Sequence, residues 1–254
     1  MILRKLAAAM REQNWFTVVL EILIVVVGIF VGLQVDGWNE ARKDKVKEKI
    51  YLERLFRDVE RDSGLLSRSI RSADERATDA VLAMNGLTDP ISLEADPCQF
   101  LASIRRASQN FFPVLYSHTF TEIVSTGHLE LIRSDDLKDE LSQYYTAHES
   151  AEQFMASYRQ INLDYAKAFA GVLSRDQLKT VDRFEDGERC QIDLAQATAA
   201  KQRILDREGL SDWLPRLEVR QENLSQRLQR SLVTNERLRN LISTELKRFG
   251  SNTH

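Results

Sequence analysis

The sequence predicts an all-α protein in which a single N-terminal transmembrane helix is followed by an antiparallel bundle of long helices. Two observations support this fold class. Glycine and proline are scarce, at 10 and 4 of 254 residues, which favours long helices over a turn-rich β fold. One long apolar segment lies near the N-terminus, and apolar residues recur at helical spacing over most of the remaining chain.

The composition excludes several classes of protein. Apolar residues make up 43% of the chain and charged residues 29%, which is typical of a globular protein and unlike a disordered or collagen-like chain. Two cysteines are too few for a small disulfide-rich domain. The net charge of -3 gives no reason to expect a nucleic-acid partner, and none is predicted.

A transmembrane helix is predicted over residues 15–36, between a short N-terminal tail of residues 1–14 and an extramembrane α-helical domain of residues 37–254. From Trp15 to Val35, only Thr17, Glu21 and Gln34 are clearly polar. A helix of this length covers about 30 Å, the thickness of the hydrocarbon core of a bilayer. No later segment is apolar enough to form a second span, so we expect a single-pass protein with the lipid bilayer as a partner.

Two alternatives exist for this segment. Its unbroken apolar run, Ile22 to Leu33, is short for a complete span, so a buried core helix of a soluble protein is one alternative. The other is a cleaved signal peptide, which would carry a small-x-small site after the run, and residues 34–40 (QVDGWNE) offer none. The segment therefore fits an uncleaved signal-anchor better.

Five residues in or beside the predicted span are candidate site residues. Trp15 and Trp38 bracket the segment, as expected of aromatic anchors at the two membrane interfaces. Gly28 and Gly32 form a G-x-x-x-G pair, whose spacing would let two membrane helices pack closely as a homodimer. The alternative is that the pair has no such role, because glycine is common in membrane helices. Glu21 is an intramembrane carboxyl and so a functional candidate, with a structural role at the interface as the alternative.

After the span, a long amphipathic helix is predicted from Asn39 to Met84, continuing directly out of the membrane segment. Asn85-Gly86 is expected to end it, and residues 88–97, with two prolines, to form a loop. Short helices are predicted over residues 100–108 and 116–125, with Gly127 as a left-handed C-cap.

The second half of the chain predicts three more long helical segments. Ser134 can cap a helix that runs to Leu173 and carries many aromatic residues, which indicates a core position. Residues 174–189 are polar and are expected to form a loop. A final pair of helices is predicted over residues 193–208 and 211–249, broken at Gly209, and the irregular leucine stripe of the last one fits a bundle better than a two-stranded coiled coil.

Several short motifs lie in and after the predicted span. They are Glu21 to Ile29 (EILIVVVGI), Leu33-Gln34, Trp38-Asn39-Glu40 and residues 51–55 (YLERL), with a weaker one over residues 120–132. In these motifs the sequence resembles an uncharacterised family of bacterial single-pass membrane proteins. Leu20 departs from the family, which has glycine there. The similar residues make up only a minor part of the chain. The resemblance implies a bacterial envelope protein with an α-helical extramembrane domain, and it implies no particular activity.

The candidate chemical residues do not predict an enzyme, a metal site or a cofactor. Cys98 and Cys190 are expected in loops, where they would be bridged in the periplasm and reduced in the cytoplasm. His118–Glu122 and His148–Glu152 have i,i+4 spacing, but the further carboxylates of a di-metal site are missing. The chain has no P-loop, G-x-S-x-G or H-E-x-x-H motif.

The last helix carries a series of arginines that could bind phosphate or an acidic partner: Arg216, Arg220, Arg227, Arg230 and Arg237. Nearby glutamates dilute their charge and aromatic residues are not interleaved with them, so a solvated helix face is the expected interpretation.

The sequence gives two opposite indications of the side of the membrane on which the extramembrane domain lies. More Lys and Arg residues follow the span than precede it, which favours a cytoplasmic domain by the positive-inside rule. Long domains translocate regardless of such charges, and the similar proteins carry longer basic N-terminal tails, which favours the periplasm. We therefore expect an inner-membrane protein with a periplasmic domain. Its expected function is that of an interaction or scaffold protein that contacts an envelope protein, and the alternative is a ligand-sensing module signalling through the membrane helix.

Overall fold

The computed structural model describes residues 15–184 and 192–251. Over these residues the chain is all-α, without a strand, so the predicted fold class is confirmed. In chain order the α-helices are α1 (Trp15–Thr88), α2 (Pro90–Ala95), α3 (Pro97–Arg106), α4 (His118–Ser125), α5 (Asp135–Phe169), α6 (Arg175–Arg183), α7 (Leu194–Leu205) and α8 (Trp213–Ser251). A 3-10 helix, His128–Leu131, separates α4 from α5.

Helix α1 is one uninterrupted helix of 74 residues. It passes through Gly37, so the predicted continuation of the apolar segment into the amphipathic helix is confirmed. The predicted end at Asn85-Gly86 is wrong, because the helix includes both residues and ends at Thr88. The side chain of Phe100 lies where a Cβ at position 86 would be, so Gly86 allows close packing rather than ending the helix.

Two short helices occupy segments that were predicted to be loops. The Asp89 side chain accepts hydrogen bonds from the backbone N–H groups of Ile91 and Ser92 at the start of α2. Pro90 fits the first turn because a backbone N–H at that position would have no acceptor within the helix. Ser174 and Gln177 form a reciprocal capping box at the start of α6. In both cases the capping residues outweigh a locally polar or proline-containing composition.

Two predicted helix breaks are confirmed by left-handed glycines. Gly127 has φ 70° after α4, and Gly209 has φ 72° between α7 and α8. Residues with a Cβ rarely adopt this conformation. Gly127 therefore follows the C-cap of α4, and Gly209 lies in the turn between the end of α7 at Leu205 and the start of α8. Ser134 caps α5 through the backbone N–H of Leu137, also as predicted.

By its internal contacts the chain divides into two units, Met1–Tyr51 and Leu52–His254. The described residues of the first unit form the N-terminal part of α1. The second unit contains the rest of α1 and all the other helices. Its long helices are antiparallel where α5 meets α8, because Phe154 contacts Arg227 while Tyr158 contacts Arg220.

A hydrophobic core in the second unit joins the end of α1 to α3, α6, α7, the end of α5 and the start of α8. Tyr165 and Phe169 of α5 stack within it, which confirms that aromatic residues of this helix are core residues. The predicted leucine stripe of α8 is largely buried. Val46 and Ile50 lie at helical spacing within the predicted amphipathic helix, but they are exposed, because helical spacing identifies a face without showing where a partner helix covers it.

The close approach of α1 to Phe100 gives a stability prediction. A Cβ at Gly86 would lie 2.1 Å from Cδ2 of Phe100, whose side chain is buried. We expect Gly86→Ala to lower the free energy of unfolding by about 1–3 kcal/mol, the usual cost of overpacking a core. Gly64→Ala in the same helix is the matched control, since nothing lies within 4 Å of its Cβ position.

Denaturant unfolding of both variants checks this prediction. Because alanine is a better helix former than glycine, Gly64→Ala should raise the free energy of unfolding by about 0.5–1 kcal/mol. A stabilising Gly86→Ala of the same size would show that α1 does not approach Phe100 as described.

Candidate functional site

The apolar segment of α1 is exposed along its described length. Within the described residues the structure has one helix long and apolar enough to cross a membrane, and none of its most apolar 18-residue window is buried. Phe30 and Leu33 expose 62% and 64% of their surface. The segment is therefore not a core helix of this chain, and apolar exposure on this scale marks a surface that another apolar phase or partner covers.

Gly28 and Gly32 lie on this exposed surface, four positions apart and so on one face of α1. A Cβ added at either glycine would meet nothing within 4 Å. No described atom therefore covers the helix surface at these two positions.

The predicted aromatic anchors and the predicted intramembrane carboxyl are described only in part. Trp38 is 73% exposed. Trp15 begins α1, and the rise of the helix places Trp15 and Trp38 about 35 Å apart along its axis, which spans a hydrocarbon core with its interfaces. The side chains of Trp15 and Glu21 lie outside the described part of the structure.

Cys98 lies near the start of α3, in a helix rather than the predicted loop, because Asp96 caps this helix and Pro97 begins it. Its side chain is fully buried, and its sulfur is part of a disulfide. Cys190, the second cysteine of the chain, lies outside the described residues.

The histidine–carboxylate pairs do not form a metal centre in the described part of the chain. Groups of three or more His, Cys, Asp or Glu residues suited to a metal ion are absent among the described residues. Glu122, the i,i+4 neighbour of His118, instead binds Arg54 through both oxygens at 2.6 and 3.1 Å. The side chain of Glu152, the neighbour of His148, is not described.

A buried polar network connects α1, α5 and α8 and was not anticipated from the sequence. Asp62 is fully buried and accepts two hydrogen bonds, from the backbone N–H of Tyr116 at 2.8 Å and from the Tyr144 hydroxyl at 3.1 Å. The Asn235 amide donates to the Tyr144 hydroxyl and to the carbonyl of Val59, at 3.1 and 3.0 Å. One helix turn before Asp62, Asp58 accepts a hydrogen bond from the Thr119 hydroxyl.

The environment of Asp62 disfavours its charged form. Burial raises the pKa of this carboxyl to about 7, and the negative charge of Asp58 adds to the rise, while the hydrogen bonds from Tyr116 and Tyr144 oppose it. Burial and the Asp62 charge also raise the pKa of the Tyr144 hydroxyl, so this group stays protonated. The network can therefore take up and release one proton near neutral pH inside the bundle.

A second buried cluster is ionic and joins α1 to α3. Asp79, only 4% exposed, lies 3.1 Å from Nε of Arg76 and 3.4 Å from NH2 of Arg106. The Ser103 hydroxyl donates to the same carboxylate at 3.1 Å. Two cations and a hydroxyl thus compensate a charge that would be costly to bury alone.

The sequence held a signal for the Asp62 network. Asp62 lies three positions after Val59 and four before Leu66, so it interrupts the apolar face of α1 at a core position. Asn235 lies three positions before Leu238, in the apolar stripe of α8. A polar residue at a core position of two predicted helices indicates a buried hydrogen-bonded pair, although it does not identify the partners.

The described residues therefore present an exposed apolar helix face and two buried polar clusters within a helical unit. These features suit anchoring and helix packing, and a nucleophile with an activating base is not among the described clusters. The chain matches no protein-family model, no curated protein and no solved structure.

Proposed function

We propose that the chain is a membrane-anchored interaction or scaffold protein of the bacterial envelope rather than an enzyme. The observation that carries the proposal is the fully exposed apolar window of α1, which is long enough to cross a bilayer. The same helix provides core residues of the helical unit, including Leu55 and Val59. The proposed anchor and one helix of the proposed interaction domain are thus parts of the same secondary-structure element.

The disulfide at Cys98 supports placing the helical domain in the periplasm. Disulfides persist in oxidising compartments such as the periplasm and are rare in the cytosol. The N-terminal tail would then remain in the cytoplasm, as in a signal-anchor protein with its C-terminus outside. The predicted bridge from Cys98 to Cys190 would close a long loop and stabilise the domain by a few kcal/mol.

Charge placed in the exposed apolar window tests the anchor. Val26→Arg with Ile29→Arg introduces two cations at the centre of the segment, at a cost of about 3 kcal/mol each by insertion scales. We expect this variant to move from the membrane pellet to the soluble fraction when cells are fractionated. Retention in the membrane under high-salt and carbonate washing would contradict the proposal.

The matched control places the same substitutions elsewhere in α1. Val46 and Ile50 are 56% and 48% exposed and lie beyond the apolar window. Val46→Arg with Ile50→Arg adds the same charge to the same helix, and the protein should stay in the membrane fraction. Release of both variants alike would show that added charge, and not loss of the span, causes the change.

We also propose that the membrane helix forms a homodimer through Gly28 and Gly32. Their open Cβ positions allow two backbones to approach closely, which favours dispersion contacts between the helices. Gly28→Leu with Gly32→Leu should weaken dimerisation about tenfold, measured by energy transfer between labelled copies in vesicles. Gly37→Leu is the control, because its Cβ position is equally open but it does not share the pair's spacing. Equal effects of the two variants would contradict a dimer through this face.

A further inference from the structure

Five arginines of α8 lie on one face of the helix. At 3.6 residues per turn, Arg216, Arg220, Arg227, Arg230 and Arg237 fall within a sector of about 100°, which we call the arginine face. Glu218, Glu222 and Glu236 fall within about 40° on the other side of the buried stripe. Glu245 lies beyond the last of these arginines and pairs with Arg248 at 2.6 Å. The glutamates that dilute the arginines in the sequence therefore do not lie among them in the structure.

Two arginines of this face are held in place by aromatic rings of α5. The guanidinium carbon of Arg220 lies 4.2 Å from the ring centroid of Tyr158, and that of Arg227 lies 4.0 Å from Phe154. NH2 of Arg220 also donates to the Ser157 hydroxyl at 3.3 Å. Aromatic residues are not interleaved with the arginines along α8, but α5 brings two aromatic rings beside them. The attraction between a guanidinium and a ring at this distance restrains the arginine side chain, which lowers the entropy lost on binding a further group.

Most of the positive charge of the arginine face has no acidic partner in the described structure. Arg237 pairs with Glu140 at 3.2 Å. Among the described residues, no ion pair joins Arg216, Arg220, Arg227 or Arg230 to a carboxylate. These four cations extend over about 21 Å of helix.

We propose that the arginine face binds an acidic segment of a partner protein, an inference that rests on the proposed interaction function and names the chemistry of its partner. Between Arg216 and Arg237 the helix has no lysine, and the planar guanidinium matches a carboxylate with two parallel hydrogen bonds. Val219 and Val233, 53% and 66% exposed, border the face and offer apolar contact to the same segment.

The other anionic macromolecules fit this surface less well. Nucleic-acid binding uses free aromatic faces for stacking on bases, whereas the rings of Phe154 and Tyr158 are covered by guanidinium groups. A helix that lies on an anionic membrane inserts its apolar side into the lipid. The apolar side of α8 is instead buried within the bundle through Leu224 and Leu228.

A binding experiment with the full chain in nanodiscs of zwitterionic lipid tests the proposal. The probe is a fluorescein-labelled polyglutamate peptide, with fluorescence anisotropy read at near-physiological salt. Arg216→Gln with Arg230→Gln should weaken binding at least tenfold. The control, Arg68→Gln with Arg71→Gln, removes the same charge from exposed positions of α1 and should change binding less than twofold. Arg227→Lys keeps the charge but loses the planar fork, so we expect about threefold weaker binding.

Several outcomes would overturn the inference: no binding of the peptide by the unmodified chain, equal loss in the two double variants, or binding of single-stranded DNA or phosphatidylglycerol vesicles in place of the peptide. Circular dichroism of the variants shows whether the fold is kept. Failure here leaves the proposed anchor intact if the variants remain in the membrane fraction, whereas release of the unmodified chain from membranes would overturn the proposed function itself.

Discussion

Asp79→Ala is expected to lower the free energy of unfolding by about 3 kcal/mol, the largest single-residue effect that we predict, because removing one member of a buried ion pair typically costs about 3–5 kcal/mol. The substitution leaves Arg76 and Arg106, whose side chains are 15% and 18% exposed, without their shared carboxylate. Arg106 then loses a buried carboxylate that it contacts, and Arg76 keeps the more exposed Glu75 at 3.1 Å. The Ser103 hydroxyl loses its acceptor as well. Denaturant unfolding measures the change.

Two further variants show whether the loss of stability in Asp79→Ala comes from the buried charge. Asp74→Ala removes a carboxylate from an exposed position of the same helix and should change stability by less than about 0.5 kcal/mol. Asp79→Asn keeps an acceptor for Ser103 but no charge, so an intermediate loss is expected. If Asp79→Ala were as mild as Asp74→Ala, the ion pair between Asp79 and Arg106 that joins α1 to α3 would not exist as described.

The second large effect is a pH dependence of stability that comes from Asp62. Its pKa is about 7 in the folded protein, against an ordinary value of 3.8. Between pH 4 and 7 the folded state therefore holds a proton that the unfolded state releases, so stability falls as the pH rises through this window and levels off above it. One pKa unit corresponds to about 1.4 kcal/mol, so Asp62 contributes a change of a few kcal/mol at most.

Asp62→Asn isolates this contribution from other titrating groups. The amide stays neutral at every pH, accepts from the Tyr116 backbone N–H through its oxygen, and can donate to the Tyr144 oxygen as a protonated carboxyl would. The difference in free energy of unfolding between the original and variant chains should shift in favour of the variant as the pH rises from 4.5 to 8. A difference that is constant over this range would contradict an Asp62 pKa near neutrality.

The long helices could be predicted from the sequence because each has a local cause. The apolar segment near the N-terminus, the periodic core positions of α5 and α8, and the glycines at positions 127 and 209 act over one or a few helix turns. The helices missed, α2 and α6, also have local signals, namely the Asp89–Pro90 and Ser174–Gln177 caps. These two helices were missed because their segments are rich in proline or in polar residues, as loops are, and because helices so short show little periodic spacing of apolar residues.

The Asp62 network and the arginine face could not be predicted in full, because their contacts depend on how the helices pack against one another. The sequence does not specify this packing. Asp62 and Asn235 each mark a polar core position, but their link through Tyr144 requires the relative register of α1, α5 and α8. Phe154 lies on a different helix from Arg227, so the spacing within α8 could not reveal that this ring covers the guanidinium. Cys98 is in a disulfide, and its predicted bridge to Cys190 stays a prediction because Cys190 lies outside the described residues.

A measurement of membrane topology tests the central claim most directly. The claim is that the helical domain lies in the periplasm and is attached to one membrane span. An epitope tag placed after the last residue is exposed to protease in spheroplasts with an intact inner membrane, and an N-terminal tag serves as the internal control. The account predicts digestion of the C-terminal tag and protection of the N-terminal tag until the cells are lysed. Protection of the C-terminal tag before lysis would contradict it and place the helical domain in the cytoplasm.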